Sequence, residues 1–198
     1  MATAESLHHN VFGAIVYSAD ECGWTGSCPL PVFAEYGKEG PDLQLLSDAT
    51  PEFRKGAFAL TIQDETAFEP NEQQCNAFRF LREHEAEVCQ TVMSEVLKVK
   101  RDFGGNWVAW LRARRQTRVW GWLAALLGPE YKTLEDLKPA VRCIGLEISR
   151  HHFGTLAHVA FYFETGFGIE TEHGFSVIYH PEAGTISGDA SAIHELLP

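Results

Sequence analysis

Residues 155–164 read TLAHVAFYFE, and apolar and polar side chains alternate along this stretch. One side of a chain with a period of two would carry Ala157, Val159, Phe161 and Phe163. The other side would carry His158, Tyr162 and Glu164. A single apolar side with this period is typical of a strand in an antiparallel sheet that is buried on one face. The stretch therefore predicts a half-buried antiparallel sheet.

Similar strand-like runs lie on both sides of this stretch. Those before it are Val11–Tyr17, Gly23–Phe33, Ala57–Gln63 and Val141–Ser149, and those after it are Gly174–Tyr179 and Gly184–Gly188. Pro29 and Pro31 lack the backbone N–H that a central strand needs. The second run is therefore predicted to be an edge strand that forms a hairpin with the first.

The period becomes helical between the two groups of strands. From Pro70 onwards, apolar residues recur at helical spacings, namely Phe78, Leu81, Val88, Val92, Val96 and Val99. This pattern predicts one long helix that begins at Pro70, ends before Gly104 and packs an apolar face on a sheet. An aromatic helical region follows at 107–127, and Thr133 is placed to cap a short helix that ends at Leu137.

The blocks follow one another without a linker. The chain is therefore predicted to be a single α+β domain over residues 1–198, with strands in 1–63, a helical region in 70–138 and strands in 141–188. The sheet is predicted to be antiparallel and built from the N-terminal and C-terminal strands, with the helical insert packed on one face.

Composition and charge exclude several classes of protein. Of the 198 residues, 45% are hydrophobic, which is typical of a folded domain and not of a disordered chain. With 16 Lys and Arg against 27 Asp and Glu, the formal net charge is -11. Such a chain repels nucleic acid phosphates and favours a basic partner.

The segment Lys98–Arg118 is an exception, because it holds seven basic residues, one acidic residue, and the tryptophans Trp107 and Trp110. Aromatic side chains among basic residues can stack nucleic acid bases. The alternative is a solvated helix face with buried tryptophans, and it is preferred because the rest of the chain is strongly acidic. No nucleic acid partner is predicted.

The chain shows no targeting or cross-linking pattern. Its first residues lack the basic and apolar regions of a secretory signal, and the longest apolar stretch, Val119–Leu127, is too short to span a membrane. We therefore expect a cytoplasmic protein without a membrane partner. Five cysteines without a C-x-x-C pair fit neither a disulfide framework nor a zinc site, so buried reduced thiols are expected.

No catalytic motif is present: the sequence contains no G-x-S-x-G, P-loop or H-E-x-x-H pattern. The remaining candidates for chemistry are the histidines His151, His152, His158, His173 and His180. Two imidazoles with Glu170 or Glu172 would hold a divalent metal if the strand pairing brought them together. The prediction is nevertheless a protein that is not an enzyme and needs no cofactor.

Residues 163–177 read FETGFGIETEHGFSV. This segment resembles the terminal hairpin of an uncharacterised family of bacterial domains, in which a strand enters Trp-Asp-x-Glu-His-Gly and a second strand follows. Glu172, His173 and Gly174 match the Glu-His-Gly core, whereas Ile169 replaces the family's Trp and Glu170 its Asp. Residues 11–13, 24–26 and 70–77 are similar to the family's opening strands and helix entrance. Members are suspected immunity proteins of polymorphic toxin systems, so the resemblance implies a domain that binds and neutralises a toxin.

Acidic charge, small size and the resemblance together predict a protein-binding module whose partner is a basic toxin or effector domain. The predicted acidic binding surface consists of Glu164, Glu170, Glu172, His173, Glu182 and Asp189. Within it, the Glu-His-Gly core is interpreted as a structural lock of the turn between two strands. Two other functions stay open: a metal-dependent hydrolase that uses the histidine cluster, and a structural domain that self-associates.

Overall fold

The computed structural model describes residues 5–20, 22–36, 57–64, 68–102, 131–165 and 175–189. In these residues eight strands form one sheet, and their spatial order follows their order in the chain. The strands are β1 (Ser6–His9), β2 (Gly13–Ser18), β3 (Gly23–Pro29), β4 (Ala57–Gln63), β5 (Val141–Phe153), β6 (Leu156–Thr165), β7 (Phe175–His180) and β8 (Gly184–Asp189).

The sheet is mostly antiparallel, with one exception in its middle. Neighbours from β1 to β4 pair antiparallel, and so do neighbours from β5 to β8. β4 and β5 are parallel, with Leu60 opposite Leu146 and Ile62 opposite Ile148. The prediction of an entirely antiparallel sheet is therefore wrong at this pair. The long helical connection allows the parallel pairing, because it returns the chain to the end of the sheet where β4 began.

Two further strand predictions need correction. β1 was not predicted, because Leu7 is its one apolar residue and no alternation is visible in four residues. β3 is not an edge strand, since it lies between β2 and β4. Pro29 does not interrupt the pairing of β3 with its neighbours, because it is the last residue of the strand, opposite Ala57.

Three helices lie in the described ranges: α1 (Glu72–Glu83), α2 (Glu85–Asp102) and α3 (Leu134–Leu137), and a 3₁₀ turn spans Phe33–Glu35. With them the α+β class is confirmed. The predicted continuous helix is wrong, because the chain leaves the helical range at His84, where φ is -119°. The predicted cap is confirmed, since the Thr133 side chain accepts a hydrogen bond from the N–H of Asp136. None of these helices is both long enough and apolar enough to cross a membrane.

The two longer helices share a hydrophobic core with the strands. Their core side chains are Phe78, Leu81, Val88, Val92, Met93 and Val96. The 3₁₀ turn joins the same core, because the ring of Phe33 stacks on that of Phe161 with centroids 4.8 Å apart. Each large side chain buried in this way contributes roughly 1.5–3 kcal/mol. Residues 103–130, which include the predicted aromatic helix 107–127, lie outside the described residues, so the packing of the whole helical insert stays a prediction.

Gln74 connects the start of α1 to the parallel pair of strands. Its Oε1 accepts a hydrogen bond from the N–H of Asn71 at 3.0 Å, and its Nε2 donates to the carbonyl oxygen of Gln63 at 2.9 Å. The carbonyl oxygens of Ile148 and Ser149 lie 3.5 and 3.4 Å from the same nitrogen. Asn71 completes a capping box by accepting from the N–H of Gln74. One amide, 1% exposed, therefore joins β4, β5 and α1.

Candidate functional site

The last strands of the sheet have two distinct ends. The turn between β5 and β6, at 154–155, lies beside the turn between β7 and β8, at 181–183. We call residues 153–156 and 180–183 the turn end. The opposite ends of β6, β7 and β8, at Thr165, Phe175 and Asp189, are called the acidic end.

Glu164 and Asp189 both belong to the acidic end. Glu164 lies opposite Arg142 of β5, and Asp189 lies opposite Phe175, the first residue of β7. The connection 166–174 leaves β6 and enters β7 at this end, and it lies outside the described residues. It carries the predicted binding residues Glu170, Glu172 and His173, and the whole Glu-His-Gly core.

Glu182 lies apart from Glu164 and Asp189, the other predicted binding residues that the structure describes. It is an exposed residue of the turn end, and the six residues of β7 separate it from the acidic end. A strand of that length spans about 20 Å. The structure therefore does not bring Glu182 together with Glu164 and Asp189.

The turn end contains a buried histidine that bonds to both turns. His180 is 1% exposed, and its Nε2 lies 3.1 Å from the carbonyl oxygen of Phe153 and 3.3 Å from that of Leu156. Its Nδ1 accepts hydrogen bonds from the N–H groups of Glu182 at 3.1 Å and Ala183 at 3.2 Å. One imidazole therefore links the two turns through four backbone groups.

A second buried histidine, His158, lies against the first. The ring centroids of His158 and His180 are 4.9 Å apart. The Nδ1 of His158 lies 3.1 Å from the carbonyl oxygen of His151, and it donates the proton because a carbonyl oxygen only accepts. Burial lowers the pKa of His158, the hydrogen bond to His151 opposes this effect, and the neighbouring His180 adds to the lowering.

The remaining histidines of the cluster are placed differently. His151 and His152 are exposed near the end of β5, and His173 lies outside the described residues. Within the described ranges, no three side chains of His, Cys, Asp or Glu come together in a way that could hold a metal ion. The sequence showed that the histidines were numerous, but only the strand register shows that His158 and His180 are neighbours.

A polar contact that the sequence did not reveal lies on the other side of β6 from the main core. The hydroxyl of Tyr162 donates to the Oε2 of Glu147 in β5 at 3.0 Å. Burial and the carboxylate of Glu147 raise the pKa of Tyr162. Ser176 lies opposite Tyr162, and its buried hydroxyl has no hydrogen-bond partner in the part of the chain that the structure describes. The period of β6 indicated the side on which Tyr162 lies, but its partner depends on the register with β5.

The cysteines provide no reactive nucleophile in the core. Cys28, Cys75, Cys89 and Cys143 are buried, and burial raises the pKa of Cys28 and of Cys89 to about 12. Thiols that hold their protons are poor nucleophiles. The prediction of buried reduced thiols is confirmed for these four and is wrong for Cys22, which is exposed.

Comparison of the chain with protein-family models, with curated proteins and with solved structures found no match. The sequence resemblance described above therefore stays an expectation, and the two ends of the sheet are the candidate sites that the geometry offers.

Proposed function

We propose that the chain is a protein-binding module of the immunity type, which neutralises a basic toxin or effector domain by covering it and performs no chemistry on it. The observation that carries the proposal is the position of Glu164 and Asp189 on the strands that flank the start of β7. The connection attached to the same end contributes Glu170, Glu172 and His173. Two candidate contact residues thus lie at one end of the sheet, and three more belong to the connection that joins β6 to β7 there.

The strands that carry this end are well anchored. Phe163 of β6 and Phe175 of β7 are 1% and 3% exposed, and their ring centroids are 6.4 Å apart. Strand residues held by such packing keep their positions when a partner binds. A rigid base reduces the conformational entropy that binding removes, which favours affinity.

The charge of the chain supports a basic partner. A net charge of -11 attracts a basic protein and raises the rate at which the two meet. Ions screen this attraction over about 8 Å at physiological ionic strength. Association should therefore slow as the salt concentration rises, while dissociation changes less.

The test compares two double variants with the same change of charge. Glu170→Lys with Glu172→Lys reverses charge in the connection at the acidic end. Glu83→Lys with Glu182→Lys is the matched control, because both residues are exposed. Glu182 belongs to the turn end, and Glu83 ends α1 one turn after Phe80, which lines an apolar recess together with Pro181. Binding kinetics are measured by surface plasmon resonance against the product of the adjacent gene, over a series of salt concentrations.

We expect the first variant to associate about tenfold more slowly than the parent, with a weaker dependence on salt, and the control to lose much less. Salt-independent binding that survives the first variant would refute the acidic surface. Absence of binding together with turnover of a small substrate would refute the binding function in favour of the hydrolase. A mass that rises with protein concentration in sedimentation, again without binding, would favour self-association.

A further inference from the structure

The four backbone bonds of His180 determine where its ring carries a proton. A backbone N–H can only donate and a carbonyl oxygen can only accept. Nδ1 faces the N–H groups of Glu182 and Ala183, so it must present a lone pair. Nε2 faces the carbonyl oxygens of Phe153 and Leu156, so it must carry the proton. The closed structure therefore requires a neutral ring with its proton on Nε2.

A second proton on this ring is incompatible with the closed turns. It would bind at Nδ1 and point at two N–H donors that lie 3.1 and 3.2 Å away. Both hydrogen bonds would be lost, and a positive charge would stand in a site that is 1% exposed. The imidazolium has to move towards water, and the β7–β8 turn then loses its connection to the β5–β6 turn.

We propose that His180, with His158 packed against it, forms an acid-sensitive latch, which holds the two turns of the turn end together while the His180 ring is neutral and releases them when that ring takes up a second proton. His158 takes part because its ring lies against that of His180 and because it is itself 6% exposed. Its Nδ1 bond to the carbonyl oxygen of His151 fixes the end of β5 to β6. The latch is independent of the proposed binding function, which concerns the opposite end of the sheet.

The histidines around the latch disfavour a positive charge on the His158 ring. The titratable groups nearest to the latch in the described residues are His151 and His152 from β5 and Glu182 from the β7–β8 turn, whose carboxylate lies near Gly154. Arg79 reaches this end through Asn76, which donates to the carbonyl oxygen of Thr155. Residues 184–188 of β8 contain no ionisable side chain. Burial lowers the pKa of His158 most, and the neighbouring His180, His151 and His152 lower it further.

The first test needs no variant. Long-range proton–nitrogen correlation spectra of the histidine rings in the whole protein, at about pH 7.5, report which nitrogen carries the proton. We expect the Nε2–H form for His180 and the Nδ1–H form for His158. A His180 ring with its proton on Nδ1, or a ring that already carries both protons, would overturn the proposal.

The second test measures release. Hydrogen exchange at about pH 7.5 and about pH 5.5 gives protection factors for the amides of Glu182 and Ala183, with Ile178 inside β7 as the reference. In the parent we expect protection at the two turn amides to fall about tenfold or more relative to Ile178. In His180→Asn the fall should be absent, because the Oδ1 of asparagine accepts in place of Nδ1 and does not titrate. His8→Asn, at an exposed histidine of β1, is the matched control and should behave like the parent. Protection that stays constant in the parent down to about pH 4.5, or that falls equally in His180→Asn, would overturn the latch.

Discussion

Replacement of Gln74 by leucine tests how α1 is attached to the sheet. Leucine has a similar volume and helix propensity, so the change removes the amide without opening a large cavity. Two hydrogen bonds of good length are lost, one from the N–H of Asn71 and one to the carbonyl oxygen of Gln63. The contacts to Ile148 and Ser149, at 3.5 and 3.4 Å, are too long to add much.

The expected loss follows from the groups left behind. A buried backbone group without a partner costs about 1–3 kcal/mol. For the N–H of Asn71 this cost should be at the low end of the range, because Asn71 is exposed and water can replace the Gln74 amide as its partner. The carbonyl oxygen of Gln63 is less accessible. We therefore expect Gln74→Leu to lower the free energy of unfolding by about 2–4 kcal/mol. Gln74→Glu should lower it further, because a carboxylate oxygen would then face carbonyl oxygens.

The assay is urea unfolding followed by far-ultraviolet circular dichroism, with the loss read from the midpoint at an unchanged m-value. Gln90→Leu is the matched control, since Gln90 is exposed on α2, and it should change the free energy of unfolding by less than about 0.5 kcal/mol. If Gln74→Leu proved as stable as Gln90→Leu, the amide would not be what attaches α1 to the parallel pair.

Two further predictions concern thiols and pH. Ellman's reagent should modify the exposed Cys22 at once and the four buried cysteines only after unfolding. Burial keeps the thiols of these four residues protonated, and a protonated thiol reacts slowly. Rapid reaction of a second thiol in the folded protein would contradict this prediction. Burial lowers the pKa of His9, and Glu69 has a smaller, opposing effect. Below about pH 6.5 the unfolded state therefore binds more protons than the folded state does. The free energy of unfolding should thus be highest above that pH and decrease as the pH falls. His9→Asn, which keeps an acceptor for the N–H of Val11, should show a smaller decrease in urea unfolding over the same range, and an identical decrease would mean that His9 does not contribute.

The sequence located most strands because their period is local. The alternation in 155–164 and the turns around it indicated β6, β7 and β8 without any knowledge of their neighbours. The helix break at His84 could not be found in this way, because no glycine or proline marks it. It depends on a tertiary contact, in which the Glu85 carboxylate accepts hydrogen bonds from the N–H groups of Val32 and Phe33 at 2.7 and 3.3 Å. The break places that carboxylate at the start of α2.

The candidate sites also depend on tertiary contacts that local sequence patterns do not predict. Acidic residues near the last strands were visible in the sequence, but only the register separates Glu182 from Glu164 and Asp189. The histidines were also visible, and their number suggested metal ligands. In the structure, the ring nitrogens of His180 are instead bonded to backbone groups on two turns, because β7 ends where the β5–β6 turn lies. That arrangement depends on the pairing of β5 with β6 and of β6 with β7, and the period of a single strand predicts neither pairing.

The parallel pair of β4 and β5 has a consequence for how the chain folds. Each antiparallel half of the sheet is a series of neighbouring strands, although a longer connection separates β3 from β4. The two halves meet only after residues 64–140 have been closed into a loop, and each doubling of loop length adds about 0.6 kcal/mol of entropic cost. We therefore expect the joint to assemble late, after the hairpins of each half. Truncation of Ile62 or Ile148 across the joint should then mainly speed unfolding, whereas truncation of Val177 in the last hairpins should slow folding, and stopped-flow rates separate the two effects.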